Sequence, residues 1–266
     1  MMKLDGCNAL ITGASAGIGR EFAYQLAGHA KSLTLVARRE QKLNELRDQL
    51  SQRYPNLAVC VRKTDLADLA QVNELLRWID REKIDVDLLI NNAGLGDSGE
   101  FATSDPTRNE QMTLVNVVSL TILTRHLLPR MIARRRGGIL NVSSSAGFFP
   151  IPDFAVYAAT KAYVTSFSEA LRAELRRTGV MVCALCPGPV HTGFQEVAKR
   201  PGAEPDTGPE LVFVPVEQVV RDALAALETD RPLVIPGFPM KLGMFLVRMV
   251  PMPLLRLLLR FSPRRG

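Results

Sequence analysis

The sequence predicts an α/β chain, a doubly wound parallel sheet of about seven strands with helices on both faces. Three observations predict it. Short apolar runs recur along the chain and are continuous rather than alternating, as strands covered on both faces require. Between them lie stretches of helical period, with Val72, Leu75, Leu76 and Ile79 at the 0, 3, 4, 7 spacing. The chain has 266 residues, 47% of them hydrophobic, enough to bury one large core.

The first expected strand, Asn8–Ile11, runs into Thr12-Gly13-Ala14-Ser15-Ala16-Gly17-Ile18-Gly19, and a helix with Ile18, Phe22 and Leu26 on one face follows. Gly13 permits a tight turn, Gly17 lets the backbone approach a diphosphate, and Gly19 lets the helix pack on the sheet. The helix N-terminus behind Ser15 and Ile18 attracts negative charge. A glycine pattern alone is weak; placed after a strand and before a helix it reads as a Rossmann dinucleotide turn.

The second strand, Leu33–Ala37, ends in Val36-Ala37-Arg38-Arg39. An NAD site usually puts a carboxylate here for the ribose hydroxyls. Ala37 followed by Arg38 and Arg39 suits a 2′-phosphate instead, so the expected cofactor is NADP(H). The alternative is two solvated arginines at a helix start, where positive charge is locally unfavourable. A helix carrying Leu43, Leu46 and Leu50 leads to the third strand, Ala58–Arg62, and the fourth spans Val86–Ile90.

Next comes the helical stretch Met112–Leu128, then Arg134–Arg136 before Gly137 and Gly138, which read as a helix stop with cations at its C-terminus. The fifth strand, Ile139–Val142, leads into Ser143, Ser144 and Ser145. Tyr157 and Lys161 stand four apart on a helical run and share a face. An ammonium beside a phenol should lower the tyrosine pKa and make it a proton donor near neutral pH. The sixth strand is Val180–Leu185 and the seventh Leu233–Ile235, with a Gly/Pro-rich loop, Thr192–Pro215, between sheet and helix.

These motifs, taken together in order and spacing, resemble the short-chain dehydrogenases/reductases. The resemblance covers about residues 5–192 and rests on Thr12–Gly19, Asp65-Leu66, Asn91-Asn92-Ala93-Gly94, Asn116, Ser144, Tyr157-x-x-x-Lys161 and Pro187-Gly188-Pro189-Val190-x-Thr192. It implies that Ser144 polarises a substrate carbonyl, Tyr157 protonates its oxygen, and Lys161 binds the nicotinamide ribose. Asn116 would hold a water leading to Lys161. It implies cofactor contacts from Asp65 and Leu66 at the adenine, from Asn91, Ala93 and Gly94 along the cleft, and from Pro187, Gly188, Val190 and Thr192 at the carboxamide end. It also implies homodimers or homotetramers through helices near residues 106–134 and 157–177. The expected reaction is reduction of a carbonyl or oxidation of the alcohol. Phe101, Phe148, Phe149, Ile151, Phe154, Phe194 and Phe213 are expected near the pocket rim and favour a lipophilic substrate such as an oxoacyl, steroid-like or xenobiotic ketone.

Other readings are weaker. A dinucleotide-sensing regulator or scaffold could keep the glycine turn but needs no serine, tyrosine and lysine together. The net charge of +6 could suit nucleic acid, but no recognition motif accompanies it. Cys183 and Cys186 form C-x-x-C inside an apolar run with no second pair at zinc spacing, so no metal site is expected. Free thiols and the lack of an apolar leader suggest a cytoplasmic protein.

The Rossmann oxidoreductase domain is expected over residues 1–237, and an apolar, basic extension over 238–266. The extension is about the length of a bilayer span, but Lys241, Arg248, Arg256 and Arg260 interrupt it and Pro251 and Pro253 break it. Either it covers the cleft or a partner subunit, or its two short pieces lie on an anionic membrane surface, giving a weak peripheral contact.

Overall fold

The computed structural model describes residues 2–200 and 212–260. Seven parallel strands form one sheet in the order β3-β2-β1-β4-β5-β6-β7. They are β1 (Asn8–Thr12), β2 (Ser32–Ala37), β3 (Ala58–Lys63), β4 (Leu88–Asn91), β5 (Gly137–Val142), β6 (Val180–Leu185) and β7 (Leu233–Val234). The chain winds outward from β1 to β3, returns to lay β4 beside β1, and winds outward again. This reversal leaves a crevice at the carboxyl ends of β1 and β4, where doubly wound sheets bind ligands.

Strand alternation feeds two cores. Ile11, Leu33, Leu35, Leu140 and Leu185 face α1 (Gly17–Leu26), α2 (Glu40–Arg53) and α8 (Val216–Glu228), meeting Phe22, Leu43, Leu46, Val220 and Leu227. Their neighbours Leu10, Val36, Leu89, Ile139 and Val182 face the other way. There they meet Val72 and Ile79 of α3 (Leu69–Arg81), Met112 of α4 (Pro106–Thr113), Leu123 and Leu127 of α5 (Leu120–Ala133), and Leu171 of α6 (Ala155–Glu174). Each such side chain contributes roughly 1.5–3 kcal/mol on burial.

Some boundaries differ from expectation. β4 begins at Leu88, one residue after Asp87, whose N donates to Asn8 O (2.8 Å) and whose Oδ2 accepts bonds from Asn8 N (3.0 Å) and Asn8 Nδ2 (3.2 Å). Gly137 and Gly138 do not stop the helix; they start β5, where a side chain at Gly137 would strike Met131. β3 is not covered on both faces. It is an edge with Cys60 exposed, and Arg62 lies over the Trp78 ring at 4.4 Å. α4 and α5 form one continuous 28-residue helix, Pro106–Ala133, through a π-helical turn, Leu114–Ser119. It is long and apolar enough to cross a membrane, yet its apolar face is spent on the core beneath the sheet. Cys183 and Cys186 are buried core thiols, and burial pushes both pKa values up. After β7 come α9 (Phe238–Met249) and α10 (Met252–Arg260).

Candidate active site

A cleft of about 590 Å³ opens at the carboxyl ends of the strands. Its floor is locked by Thr12 at the end of β1. The Thr12 hydroxyl donates to Ile90 O (3.2 Å) and accepts from Asn92 N (2.9 Å) and Ala93 N (3.0 Å). Asn92 Nδ2 donates back to Thr12 O at 2.8 Å. Gly13, at φ +68°, lies so close to this junction that a Cβ would sit 2.8 Å from Asn92 Nδ2 and 2.9 Å from Ala93 Cα. The first turn of α1 carries no side-chain cap, so backbone N–H groups remain for an anion. Ser15, Gly17 and Ile18 line the cleft, whereas Gly19 does not: a Cβ there would meet Asn92 Nδ2 at 2.3 Å and Gly13 O at 2.4 Å. Its place is packing, as its helix position demands.

At one end the cleft meets Arg38, Arg39, Thr64, Asp65 and Leu66. Arg39 donates to the Ser15 hydroxyl from Nη2 (3.1 Å) and Nε (3.3 Å), joining the end of β2 to the glycine turn. Arg38 leans toward Asp65, with Nη1 and Oδ2 4.0 Å apart and Arg38 half exposed. Asp65 Oδ1 accepts from Ala67 N at 2.9 Å, and Ser119 Oγ donates to Leu66 O at 2.6 Å. Two guanidiniums and one carboxylate therefore line this end, with the carboxylate beside Arg38 and with Arg39 bonded to the glycine turn.

At the other end stand Ser144, Tyr157 and Lys161. Ser144 leaves β5 as the cap of a 3-10 turn, Ser145–Phe148, its Oγ accepting from Ala146 N at 3.1 Å. α6 presses on that turn so closely that a side chain at Gly147 would strike the Lys161 backbone at 2.7 Å. Tyr157 and Lys161 ride the first turns of α6. Lys161 is 4% exposed; its Nζ donates to Val142 O at 2.9 Å and lies 5.7 Å from the Tyr157 ring centre. A Cβ at Gly94 would lie 3.4 Å from that ammonium, so the absent side chain keeps the approach clear.

The expected lowering of the Tyr157 pKa is not what this geometry gives. Burial pushes the phenol up to about 12, and the Ser144 hydrogen bond pulls the other way without overcoming it. Lys161 goes the opposite way, down to about 8, again through burial. Low dielectric disfavours both charged forms, and the hydrogen bond of the ammonium goes to the Val142 carbonyl. Tyr157 thus stands as a protonated donor at neutral pH.

Asn116 sits in the π-helical turn. Its Nδ2 donates to Leu95 O (2.9 Å) and Thr160 Oγ1 (3.0 Å), and its Oδ1 accepts from Leu95 N at 2.8 Å. The side chain pins the strand exit to α6, and its Oδ1 comes as near the Gly94 Cβ position (3.5 Å) as the Lys161 ammonium does (3.4 Å). Asn91, expected along the cleft, does not line it. It belongs to β4 and points beneath the sheet, donating to Thr124 Oγ1 (3.0 Å) and Asn141 Oδ1 (2.8 Å), with its own Oδ1 buried and unpaired. Asn92 lines the cleft in its place, beside the expected Ala93 and Gly94. Strand alternation was the available signal: one residue further on, the side chain faces the other way. Pro187, Gly188, Val190 and Thr192 line the cleft as expected.

The substrate wall is less aromatic than expected. Ile151, Phe154 and Phe194 line the cleft, with Val115, Val197 and Ala198 added. Phe101 is 64% exposed, Phe148 lies under Arg248, and Phe213 stacks on His191. Within the Thr192–Pro215 loop, 201–211 lie outside the described residues. Its start forms α7 (Phe194–Ala198), stitched to the segment after β4 by side chains unnoticed in the sequence. Arg200 binds Asp97 (2.6 Å), Glu100 O (2.9 Å) and Thr103 Oγ1 (3.1 Å), while Arg108 donates to Gly96 O (2.7 Å) and Val197 O (3.2 Å). Ser98 N donates to Ala198 O at 3.0 Å.

Comparison with known proteins agrees with this geometry. The family model for short chain dehydrogenase matches residues 7–201. An NADP-dependent 3-hydroxy acid dehydrogenase of Schizosaccharomyces pombe is 36% identical over 200 residues, 74% of this chain and 76% of that protein. A very-long-chain 3-oxoacyl-CoA reductase of Pyrenophora tritici-repentis is 35% identical over 206 residues, and this chain spans 60% of its length. A short-chain dehydrogenase from Sphingobium yanoikuyae, solved in complex with NADPH, superposes with a TM-score of 0.81 at 30% identity, covering 98% of this chain and 97% of that one.

Proposed function

Since the chain belongs to the short-chain dehydrogenases, oxidoreductases acting between a carbonyl and its alcohol, we propose that it uses NADP(H) and reduces a lipophilic ketone, with 3-oxoacyl thioesters the first class to assay. The observation that carries the reading is the convergence of Ser144, Tyr157 and Lys161 in one cleft with the glycine turn and Arg38/Arg39. The two arginines favour a 2′-phosphate over the bare hydroxyls of NAD. Bound there, the dinucleotide supplies the hydride. Ser144 donates a hydrogen bond to the substrate oxygen, and Tyr157, protonated at neutral pH, delivers the proton as the oxygen gains charge. Lys161, still protonated below about pH 8, stabilises the phenolate left behind and holds the ribose. Phe154 and Phe194 flank the Tyr157 ring at 6.2 and 5.7 Å and give the reacting end an apolar wall.

The names of the yeast and fungal relatives support an acyl substrate with oxygen at the third carbon. The apolar wall of Ile151, Phe154, Phe194 and Val197 supports a hydrocarbon chain beside it. The test is NADPH oxidation against 3-oxoacyl thioesters of increasing length, beside steroid and aryl ketones. Rising kcat/KM with chain length is expected. A flat response would sink the lipophilic reading. Tight NADPH binding with no turnover on any ketone would favour the dinucleotide-sensing alternative.

A further inference from the structure

Helix α9 has two apolar faces, and the protein covers one of them. Met240 and Met244, each 8% exposed, face inward; Met240 presses on Gly188, where a Cβ would lie 2.4 Å from its terminal methyl. Arg248 lies over the Phe148 ring at 5.3 Å. The inner face is thus seated on the 3-10 turn after Ser144 and on the Gly188 segment, both at the edge of the cleft. At roughly 100° per residue, Phe238, Leu242, Phe245, Leu246 and Met249 fall in a single arc on the opposite side. Phe238 is 77% exposed, Phe245 61% and Met249 69%. On α10, Met252, Leu254 and Leu257 are exposed as well. Isolated apolar side chains on a surface are ordinary; five in one arc of a 12-residue helix are not.

The charge around this face selects what covers it. After Asp230 the sequence holds no Asp or Glu through Gly266, while Arg231, Lys241, Arg248, Arg256, Arg260, Arg264 and Arg265 are all cationic. On α9, Lys241 and Arg248 share one border of the exposed stripe, where long side chains can reach past an apolar boundary. A second copy docked here about a twofold axis would bring cations against cations with no carboxylate to answer them. An anionic lipid surface answers them. Neither helix can span a bilayer, since α9 has 12 residues and α10 nine, with Pro251 and Pro253 between their apolar stretches. Both suit a segment lying in the interface plane.

We propose that α9 and α10 form an interfacial docking surface for anionic phospholipid bilayers, apolar side chains entering the acyl boundary and basic ones meeting the headgroups. The edge of the catalytic cleft then lies beside the lipid headgroups, because α9 rests directly on the turn behind Ser144.

The test uses the full-length protein with vesicles of phosphatidylcholine alone or with about 30 mol% phosphatidylglycerol. Cosedimentation should be at least about tenfold stronger with the anionic vesicles and should weaken as salt rises. Phe245→Glu with Met249→Glu should remove most of the binding while thermal stability and turnover of a short soluble ketone stay unchanged. Lys241→Glu with Arg256→Glu, which leaves the apolar stripe intact, should lose the preference for anionic lipid. Equal binding to both vesicle types, or no binding to either, overturns the proposal. So does a Phe245/Met249 variant that changes oligomeric mass in sedimentation velocity but not vesicle binding, which would make this face a subunit interface. The vesicle-binding, stability and sedimentation readouts do not depend on which ketone the enzyme reduces, so they stand apart from the proposed function.

Discussion

The two walls of the cleft are built by different means. The wall bearing Ser144, Tyr157 and Lys161 is held by regular backbone: the end of buried β5 and the first turns of α6, with Lys161 tied to Val142 O. The wall facing it, residues 96–103 and α7, is held by Arg200, bonding a carbonyl and a carboxylate 100 and 103 positions away, and by Arg108, bonding Gly96 O and Val197 O. The first arrangement cannot loosen without unfolding the core; the second can loosen by breaking a few side-chain bonds. Chemistry therefore resides on the rigid side, and substrate fit depends on a stitched side that can change with little cost to the fold.

The largest expected effect tests the rigid wall. Tyr157→Phe should cut turnover by at least about a hundredfold and alter the NADPH Kd by less than about threefold. Retention of more than about a tenth of the activity would mean that the proton comes from elsewhere.

At the far end of the same cleft, replacing Arg38 and Arg39 together with Ala should lower kcat/KM for NADPH by about a hundredfold and leave NADH nearly untouched. The single variants sharpen the comparison. Arg39, bonded to Ser15, belongs to the phosphate turn, whereas Arg38 leans on Asp65. Equal losses with both coenzymes would show that the arginines support the turn rather than select the phosphate.

Rigidity should also show as a stability cost. The Lys161 pKa falls from 10.5 to about 8 in the fold, so at neutral pH its buried charge opposes folding by about 3 kcal/mol. Between about pH 8 and 10 the unfolded chain binds more protons at this site, so the penalty shrinks as pH rises. Above that range Tyr157, raised from 10.0 to about 12, acts in the opposite sense. Lys161→Met should therefore be inactive yet more stable than the parent by about 1–3 kcal/mol at pH 7, with the difference narrowing toward pH 10. A variant less stable at pH 7, by denaturant titration, would contradict the depressed pKa.

The smallest effect belongs to the stitched wall. Arg200→Ala should raise the ketone KM about threefold to tenfold while kcat changes little, and Asp97→Asn should do the same without adding to it. Additive losses would mean that the two residues act separately, despite their 2.6 Å contact.

What could be read from the sequence follows the same division. The strands were legible because each is a short continuous apolar run, and the catalytic residues because one helix turn and one strand end hold them. Asn91 and Asn92 were exchanged because the run gives the strand but not which way its last side chain points. Gly137 and Gly138 were read as a helix stop, although their small size serves close approach to Met131 and Leu88. The π-helical turn around Asn116 has no period of its own in the sequence. The Arg200–Asp97 bond joins residues 103 apart, which no local pattern announces.

Thr12 carries a consequence for how the protein is born. Its three hydroxyl bonds reach across 78, 80 and 81 residues. A ribosome adding about 5–20 residues per second needs roughly 4–16 s to deliver those partners after Thr12 itself. Through that interval the glycine turn exists as sequence without its shape, and any ligand that favours the finished turn can act only once β4 has been made and paired with β1. Late pairing of a central strand is a slow, long-range event. A slowed or stalled nascent chain is therefore most exposed between residues 12 and 93, before the nucleotide end of the cleft has closed upon itself.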